Sequence, residues 1–337
     1  MIRRSHGGRT RSSTRRGGDP PAVGLVGAGA LSVQFGAALA THLFHRVGPA
    51  GAATWRLVVA AAVLLAATGV RAPRRRSDLL VAAAFGLVLA AMNVSFYEAI
   101  ARIPLGVAVT LEFSGPLALA LAGSRRWSDA VWAAAAGAGV ALLASGGGNR
   151  LDPVGVGLAL TAGCFWIGYI LLSRETGRRF AAEGTSPTDP PGRLPRRFPR
   201  RLLPGRLLPG HAAPRQRLQS FEGLTLAMAA GGIAVLPWGL YSGGTAMFDP
   251  SVAALGVAVA VLSSVVPYSL EMAALRRVNP RTFGVMLSLD PAVATAAGFA
   301  VLGQHLTGRE WAALALVVAA NVGNSLYGRA QPVAGTP

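Results

Sequence analysis

The sequence predicts an all-α integral membrane protein: ten transmembrane helices in two inverted five-helix repeats. Three observations predict it. Ten apolar stretches fill the chain, Arg concentrates in every second connection between them, and the two halves match each other at a constant offset. A spanning helix needs about 20 mostly apolar residues, because the hydrocarbon core is about 30 Å thick. Stretches of that kind lie at about 21–44, 50–70, 79–97, 103–122, 129–145, 154–173, 221–241, 251–271, 282–303 and 310–328.

Residues 1–20 are rich in Arg, Gly and Ser, lack apolar periodicity, and read as a disordered cytoplasmic tail. Arg15-Arg16 superficially suggests a twin-arginine signal, but the apolar stretch that follows is too long for a cleavable signal core. Residues 21–173 hold the first repeat (helices 1–5, about 21–145) and the start of the second (helix 6, about 154–173). The single cysteine, Cys164, falls in the sixth span, where a small packing role is expected and no intramolecular disulfide can form. Residues 174–220 form an Arg/Pro-rich cytoplasmic linker with near-repeats at 200–205 and 206–210, too poor in apolar surface to offset the entropy of ordering. Helices 7–10 occupy 221–329, and 330–337 is a cytoplasmic tail. Gly137, Gly139 and Gly323 suit close helix packing, and Trp127, Trp238 and Trp311 lie near span ends as an interfacial belt would.

All 32 basic residues are Arg. With the N-terminus inside, 27 of them fall on the cytoplasmic side; Arg46, Arg102, Arg150 and Arg309 fall outside, and Arg56 lies within a span. That split is what the positive-inside rule requires for both termini in the cytoplasm. The net charge of +18 therefore belongs to membrane edges, where it meets anionic lipid, and not to a nucleic-acid surface.

The segments 99–116 and 274–291 align without gaps, pairing Arg102 with Arg277 and Pro116 with Pro291. A weaker match pairs Val23-Gly24 and Phe35 with Val154-Gly155 and Trp166. Five helices per half reverse the orientation of the second half. Inverted repeats of this sort are typical of secondary transporters, with the substrate site near the midplane between them.

Ionisable residues inside spans are costly and imply a partner or a water-filled cavity. Glu112 lies mid-span in Leu111-Glu112-Phe113-Ser114-Gly115-Pro116, and Asp290 in Leu287-Ser288-Leu289-Asp290-Pro291. In repeat coordinates the two acids are three residues apart, which places them on one helix face, directed at one cavity. Pro116 and Pro291 are expected to kink their helices by freeing the carbonyls of Glu112 and Leu287. The acids are read as binding an amine or a proton; Asp290 equally suits a helix cap after a break. Asn93, Tyr97, Tyr268, Gln34 and Ser264 are hydrogen-bonding candidates for the cavity. Glu271 is read either as a gate and proton carrier or as an interfacial acid beside Arg276 and Arg277, and Arg56 as snorkelling or pairing with an acid. Glu98 and Arg102, four apart, read as a surface ion pair.

The chain has no Walker loop and no Lys to complete one, no nucleophile elbow, and five scattered His without metal-ligand spacing. ATP-driven pumping, enzymatic catalysis, a metal and a cofactor are therefore not expected.

Two motif blocks carry a family likeness. Met92-Asn93-x-x-Phe96-Tyr97 with Pro104-Leu105-Gly106-Val107-Ala108-Val109-x-Leu111-Glu112-Phe113-x-Gly115-Pro116 is one; Val266-Pro267-Tyr268-Ser269-Leu270-Glu271-Met272 with Arg281-Thr282-Phe283-Gly284 is the other. They resemble the threonine/homoserine exporter branch of the drug/metabolite transporter superfamily. The resemblance spans about 21–329 apart from most of 180–218, and it implies EamA-type repeats and proton-driven export of small amino acids. Two positions depart from that family: Asp290 stands where Glu is usual before the second Pro, and Gln304 where Glu is common.

The expected function is therefore a proton-coupled exporter of threonine- or homoserine-like amino acids in a bacterial-type inner membrane. The expected partners are a small-molecule substrate, protons, membrane lipids and a second copy in a homodimer, with no nucleic acid. Export of other metabolites or drug-like compounds on the same fold, and a non-transporting regulatory protein working through the 174–220 linker, are the alternatives.

Overall fold

The computed structural model describes residues 20–68, 75–122, 127–144, 151–183, 214–267, 269–270 and 280–327. Its helices are α1 (Pro20–Thr68), α2 (Arg76–Ile100), α3 (Leu105–Glu112), α4 (Ser114–Ala122), α5 (Trp127–Ala144), α6 (Pro153–Glu183), α7 (Pro214–Gly243), α8 (Pro250–Ala260), α9 (Pro280–Leu287), α10 (Asp290–Leu302) and α11 (Gly308–Tyr327). A 3₁₀ turn, Gly244–Phe248, precedes α8, and a π segment, Val261–Val265, follows it. No strand occurs among the described residues.

Among the described residues six stretches are long and apolar enough to cross a membrane: Val23–Ala66, Arg76–Ile100, Leu105–Ala122, Pro153–Arg179, Gly223–Phe248 and Phe283–Leu302. Ala130–Leu143 and Pro250–Val265 are shorter apolar helices. The chain is a multi-pass membrane protein.

The first stretch is two spans. A straight helix over its 44 residues would run about 66 Å, twice the hydrocarbon thickness. Gly48 breaks it with φ 71° and ψ 168°, a backbone conformation open to glycine, and Pro49 starts the next limb. A straight helix would also hold Gly36 and Arg56 about 30 Å apart. Both instead meet the same residue: a β-carbon on Gly36 would lie 2.9 Å from Ser263, and Arg56 donates to the Ser263 carbonyl. The chain therefore doubles back at Gly48, and α1 consists of two antiparallel limbs, 20–47 and 49–68. Ser242 of α7 donates to the Val47 carbonyl at the turn, 3.1 Å away.

Two spans are broken within the membrane. Phe113 separates α3 from α4, and Ser288-Leu289 separates α9 from α10. In each case a proline follows closely, Pro116 or Pro291, and removes the N–H that would have bonded the carbonyl four residues earlier.

Helices in lipid lack a hydrophobic drive toward each other, so they associate through close backbone approach at small residues. Here α2 crosses α7 at Gly86, where a β-carbon would lie 2.4 Å from the Ala227 carbonyl oxygen. A β-carbon on Gly115 of α4 would lie 2.1 Å from the Gly163 carbonyl oxygen of α6. Of the glycines expected to serve packing, Gly139 presses on α11 and Gly323 on Trp132, whereas Gly137 faces open space. Cys164 likewise departs from expectation: it is exposed, because Ala162 and Gly163 take the inward positions on α6.

Ion pairs fasten helix ends. Glu98 and Arg102 form the expected i,i+4 pair at 2.6 Å, and Arg102 also reaches Asp152, which caps α6 through the Val154 N–H. Arg46, close to the end of the first limb of α1, bonds Asp249 at 2.7 Å, and Asp249 caps α8 by accepting from the Ser251 N–H. At the far end of α6, Arg179 bridges Asp78 of α2 at 3.2 Å and Glu175 at 2.6 Å. These contacts carry α6 past residue 173 to Glu183, and α7 starts ahead of 221, at Pro214. The remainder of the expected linker (184–213), most of the N-terminal tail and the C-terminal tail lie outside the described residues.

Candidate functional site

The elements around the membrane core bring three of the expected charged residues together. Glu112 ends α3, Asp290 begins α10, and Arg56 lies one turn into the buried part of the second limb of α1. Arg56 and Asp290 both stand close enough to Glu112 to act on its charge. Glu112 is half-buried and Asp290 buried. The position of each follows from a proline. Pro116 frees the Glu112 carbonyl, which packs against Gly163; a β-carbon there would sit 2.7 Å from it. Pro291 stands second in α10, and Leu289 takes the N-cap. Asp290 is thus the first helical residue, not the cap, and its carboxylate sits at the positive end of the helix dipole.

Arg56 is gripped by the π segment that follows α8. Its Nη2 donates to the Ser263 carbonyl at 3.0 Å and its Nε to Ser264 Oγ at 3.3 Å. The guanidinium lies over the Tyr97 ring, 5.8 Å from the centroid, within cation–π range. The backbone supplies this grip for two reasons. In the π segment the Val266 N–H bonds the Val261 carbonyl, five residues back, which strands the Leu262 carbonyl. Pro267 has no N–H to offer Ser263, four residues back. Both carbonyls are taken up by α1: Ser32 Oγ donates to Leu262 at 2.6 Å, and Arg56 donates to Ser263.

Tyr97 is fully buried, tilted against Phe44 and Phe96, and its hydroxyl has no hydrogen-bond partner among the described residues. The Gln34 Oε1 on the first limb of α1 is buried in the same condition. Asn93 is buried, but its amide donates to the Leu89 carbonyl of its own helix at 2.8 Å. Tyr268 and Glu271 lie outside the described residues. Gln304, uncharged where the resembled family commonly has Glu, has a structural task. Its Oε1 accepts the Leu105 N–H at 3.0 Å, satisfying an orphan donor at the start of α3.

Among the described residues no group of His, Cys, Asp and Glu is arranged to hold a metal ion. What the arrangement offers is one guanidinium, two carboxylates and a buried phenol, contributed by four helices inside the membrane.

A family model described as the EamA-like transporter family matches residues 212–326. The threonine/homoserine exporter RhtA of Salmonella typhimurium (strain SL1344) is 38% identical over 307 residues, covering 89% of this chain and 90% of that protein. The threonine/homoserine exporter RhtA of Escherichia coli (strain K12) is 37% identical over 301 residues, covering 88% of each. A solved crystal structure aligns over 94% of this chain and 99% of its own, with a TM-score of 0.50 and 19% identity, which shows a shared fold.

Proposed function

The chain belongs to the EamA-type transporters, in the threonine/homoserine exporter branch, and from that premise we propose that it exports threonine- or homoserine-like amino acids in exchange for protons. The observation that carries the proposal is the convergence of Arg56, Glu112 and Asp290 from three helices onto one place inside the membrane. Intramembrane ionisable groups of both signs, next to broken helices, are the usual makings of a transport site.

The architecture in this reading is ten helices in two inverted halves. The breaks support it: Phe113 and Ser288 are related by the same offset that pairs Pro116 with Pro291. So do the contacts, since α6 packs on α2, α3 and α4 as α1 packs on α8, α9 and α10. The Arg distribution supports both termini lying in the cytoplasm.

The mechanism follows from competition for the carboxylates. With the site open to the cytoplasm, the carboxyl groups of Glu112 and Asp290 receive the substrate ammonium. One half then rocks against the other and exposes the site outside. A proton arriving from the outer, more acidic side neutralises a carboxylate, the ammonium loses its counter-charge, and the amino acid leaves. The protonated site returns inward and releases its proton into the cytoplasm.

The test is threonine uptake into inverted membrane vesicles with and without an imposed proton gradient. Glu112→Gln should abolish the gradient-driven component. Unchanged gradient dependence in Glu112→Gln removes Glu112 from proton coupling.

A further inference from the structure

We infer that the Tyr97 hydroxyl is the group that reads the substrate's own side-chain hydroxyl, which makes Tyr97 a specificity-determining residue; this rests on the amino-acid export reading above. Tyr97 is fully buried, and its hydroxyl has no hydrogen-bond partner among the described residues. A buried polar atom left unpaired costs free energy, and lipid supplies no partner for it. Packing alone does not require that atom, since phenylalanine would fill the same space without the cost. The ring is also held in place. Phe44 and Phe96 lie tilted against it, at 5.7 and 6.2 Å between centroids, and the Arg56 guanidinium lies over it at 5.8 Å. The hydroxyl is thus fixed in one position with its hydrogen-bonding capacity unused.

That position suits contact with a substrate. The guanidinium over the ring donates to the Ser263 carbonyl of the π segment, so in the ten-helix reading Tyr97 stands where the first half meets the second. Helix α6 gives the depth. A β-carbon would meet Ile103, beside the turn from α2 to α3, at Gly155; it would meet Glu112 at Gly163 and Val88 of α2 at Gly168. At about 1.5 Å per residue, the Tyr97 Cα stands about 6 Å nearer that turn than Gly163 does. An aromatic side chain on a helix points back toward the helix N-terminus, which on α2 is away from the turn. A tyrosine spans about one helical pitch, about 5.4 Å. The hydroxyl therefore comes level with Glu112, the proposed partner of the substrate ammonium. Threonine and homoserine both carry a side-chain hydroxyl a few bonds from the ammonium. A phenol can donate to it or accept from it. A site built to bond a substrate hydroxyl rejects the analogue that lacks it, because its own polar group then stays unpaired.

The experiment uses the full-length protein in liposomes, with counterflow of labelled threonine competed by unlabelled threonine or by 2-aminobutyrate. That competitor keeps both charged ends and has hydrogen in place of the hydroxyl; it is the deoxy form of threonine and of homoserine alike. In the wild type threonine should compete better than 2-aminobutyrate by about tenfold or more, the scale of one buried hydrogen bond. In Tyr97→Phe the ratio should fall toward one, through lost affinity for threonine while that for 2-aminobutyrate holds. The half-saturation concentration for threonine should rise more than the maximal rate falls. Because no described residue bonds the phenol, Tyr97→Phe should melt in detergent no lower than the wild type. A Tyr97→Phe variant that fails to fold, or melts lower, gives the hydroxyl a structural task and overturns the inference. A ratio that survives the substitution, a wild type that does not tell the two competitors apart, or losses that fall equally on both, as a phenol bound to the carboxylate would produce, overturns it too while leaving the export reading intact. A wild type that shows no counterflow with any amino acid overturns the export reading, and this inference with it.

Discussion

Replacing Gly115 with alanine tests the crossing that holds Glu112 in place. The added β-carbon would lie 2.1 Å from the Gly163 carbonyl oxygen, 2.5 Å from its carbonyl carbon and 2.9 Å from its Cα. An ordinary contact starts near 3.4 Å, so the overlap with the oxygen is about 1.3 Å. The obstacle is backbone, which has no rotamer to escape into, so α4 must part from α6. Overpacking of this kind costs about 1–3 kcal/mol, and the overlap puts Gly115 at the upper end. Alanine's better helix propensity returns about 1 kcal/mol. A net loss of about 2 kcal/mol, roughly thirtyfold in the folding equilibrium, is expected. Gly163→Ala meets the Glu112 carbonyl at 2.7 Å, a smaller overlap, and should lose about 1 kcal/mol. Gly157→Ala, on the same helix with nothing within 4 Å of its β-carbon, is the control and should be neutral or slightly stabilised. Reversible unfolding by SDS in mixed micelles measures all three. If Gly115→Ala and Gly163→Ala unfold at the same SDS fraction as Gly157→Ala, the close crossing is refuted.

Two further outcomes follow from the same contacts. Gln304→Ala leaves the buried Leu105 N–H without its acceptor and should destabilise by about 1–3 kcal/mol, whereas Gln304→Glu keeps an oxygen there and should lose less, as read by thermal unfolding in detergent. The Asp249 carboxyl is held down to about 2 from an ordinary 3.8, by hydrogen bonds from the Ser251 hydroxyl and N–H and then by Arg46. A depressed carboxyl adds stability above its unfolded value and loses it as pH falls through the folded one, so the α8 cap should weaken between about pH 4 and pH 2. Asp249→Asn should flatten the acid limb of a melting-temperature profile over that window, and an unaltered limb would contradict the assignment.

Much of the architecture was legible because bilayer thickness and backbone satisfaction leave few options. The turn expected between 44 and 50 occurs at Gly48, and the prolines at 116 and 291 mark both helix breaks. The Glu98–Arg102 pair followed from spacing alone. What escaped sequence reasoning was mainly backbone chemistry. Ser263 was not singled out because its contribution is a carbonyl, which every residue carries. The available signal was Pro267 four residues later, the same signal that was read at Pro116. Asp290 fits the residue types that cap helices, yet the break ends one residue earlier and Leu289 takes the cap. Gln304 was legible as a departure in charge but not as an acceptor for Leu105, because nothing local links residues 199 positions apart.

The hydrogen bonds from Ser32 and Arg56 to the Leu262 and Ser263 carbonyls also bear on how the protein is made. Lipid offers no hydrogen bonds, so a segment with two stranded carbonyls is poorly suited to enter a bilayer alone. The donors that relieve it both reside on α1, which precedes the π segment in the chain. By the time the π segment is synthesised, Ser32 and Arg56 are already in the membrane. The irregular turn beside the proposed site can thus be accepted on arrival, and α1 acts toward α8 as a built-in insertion partner.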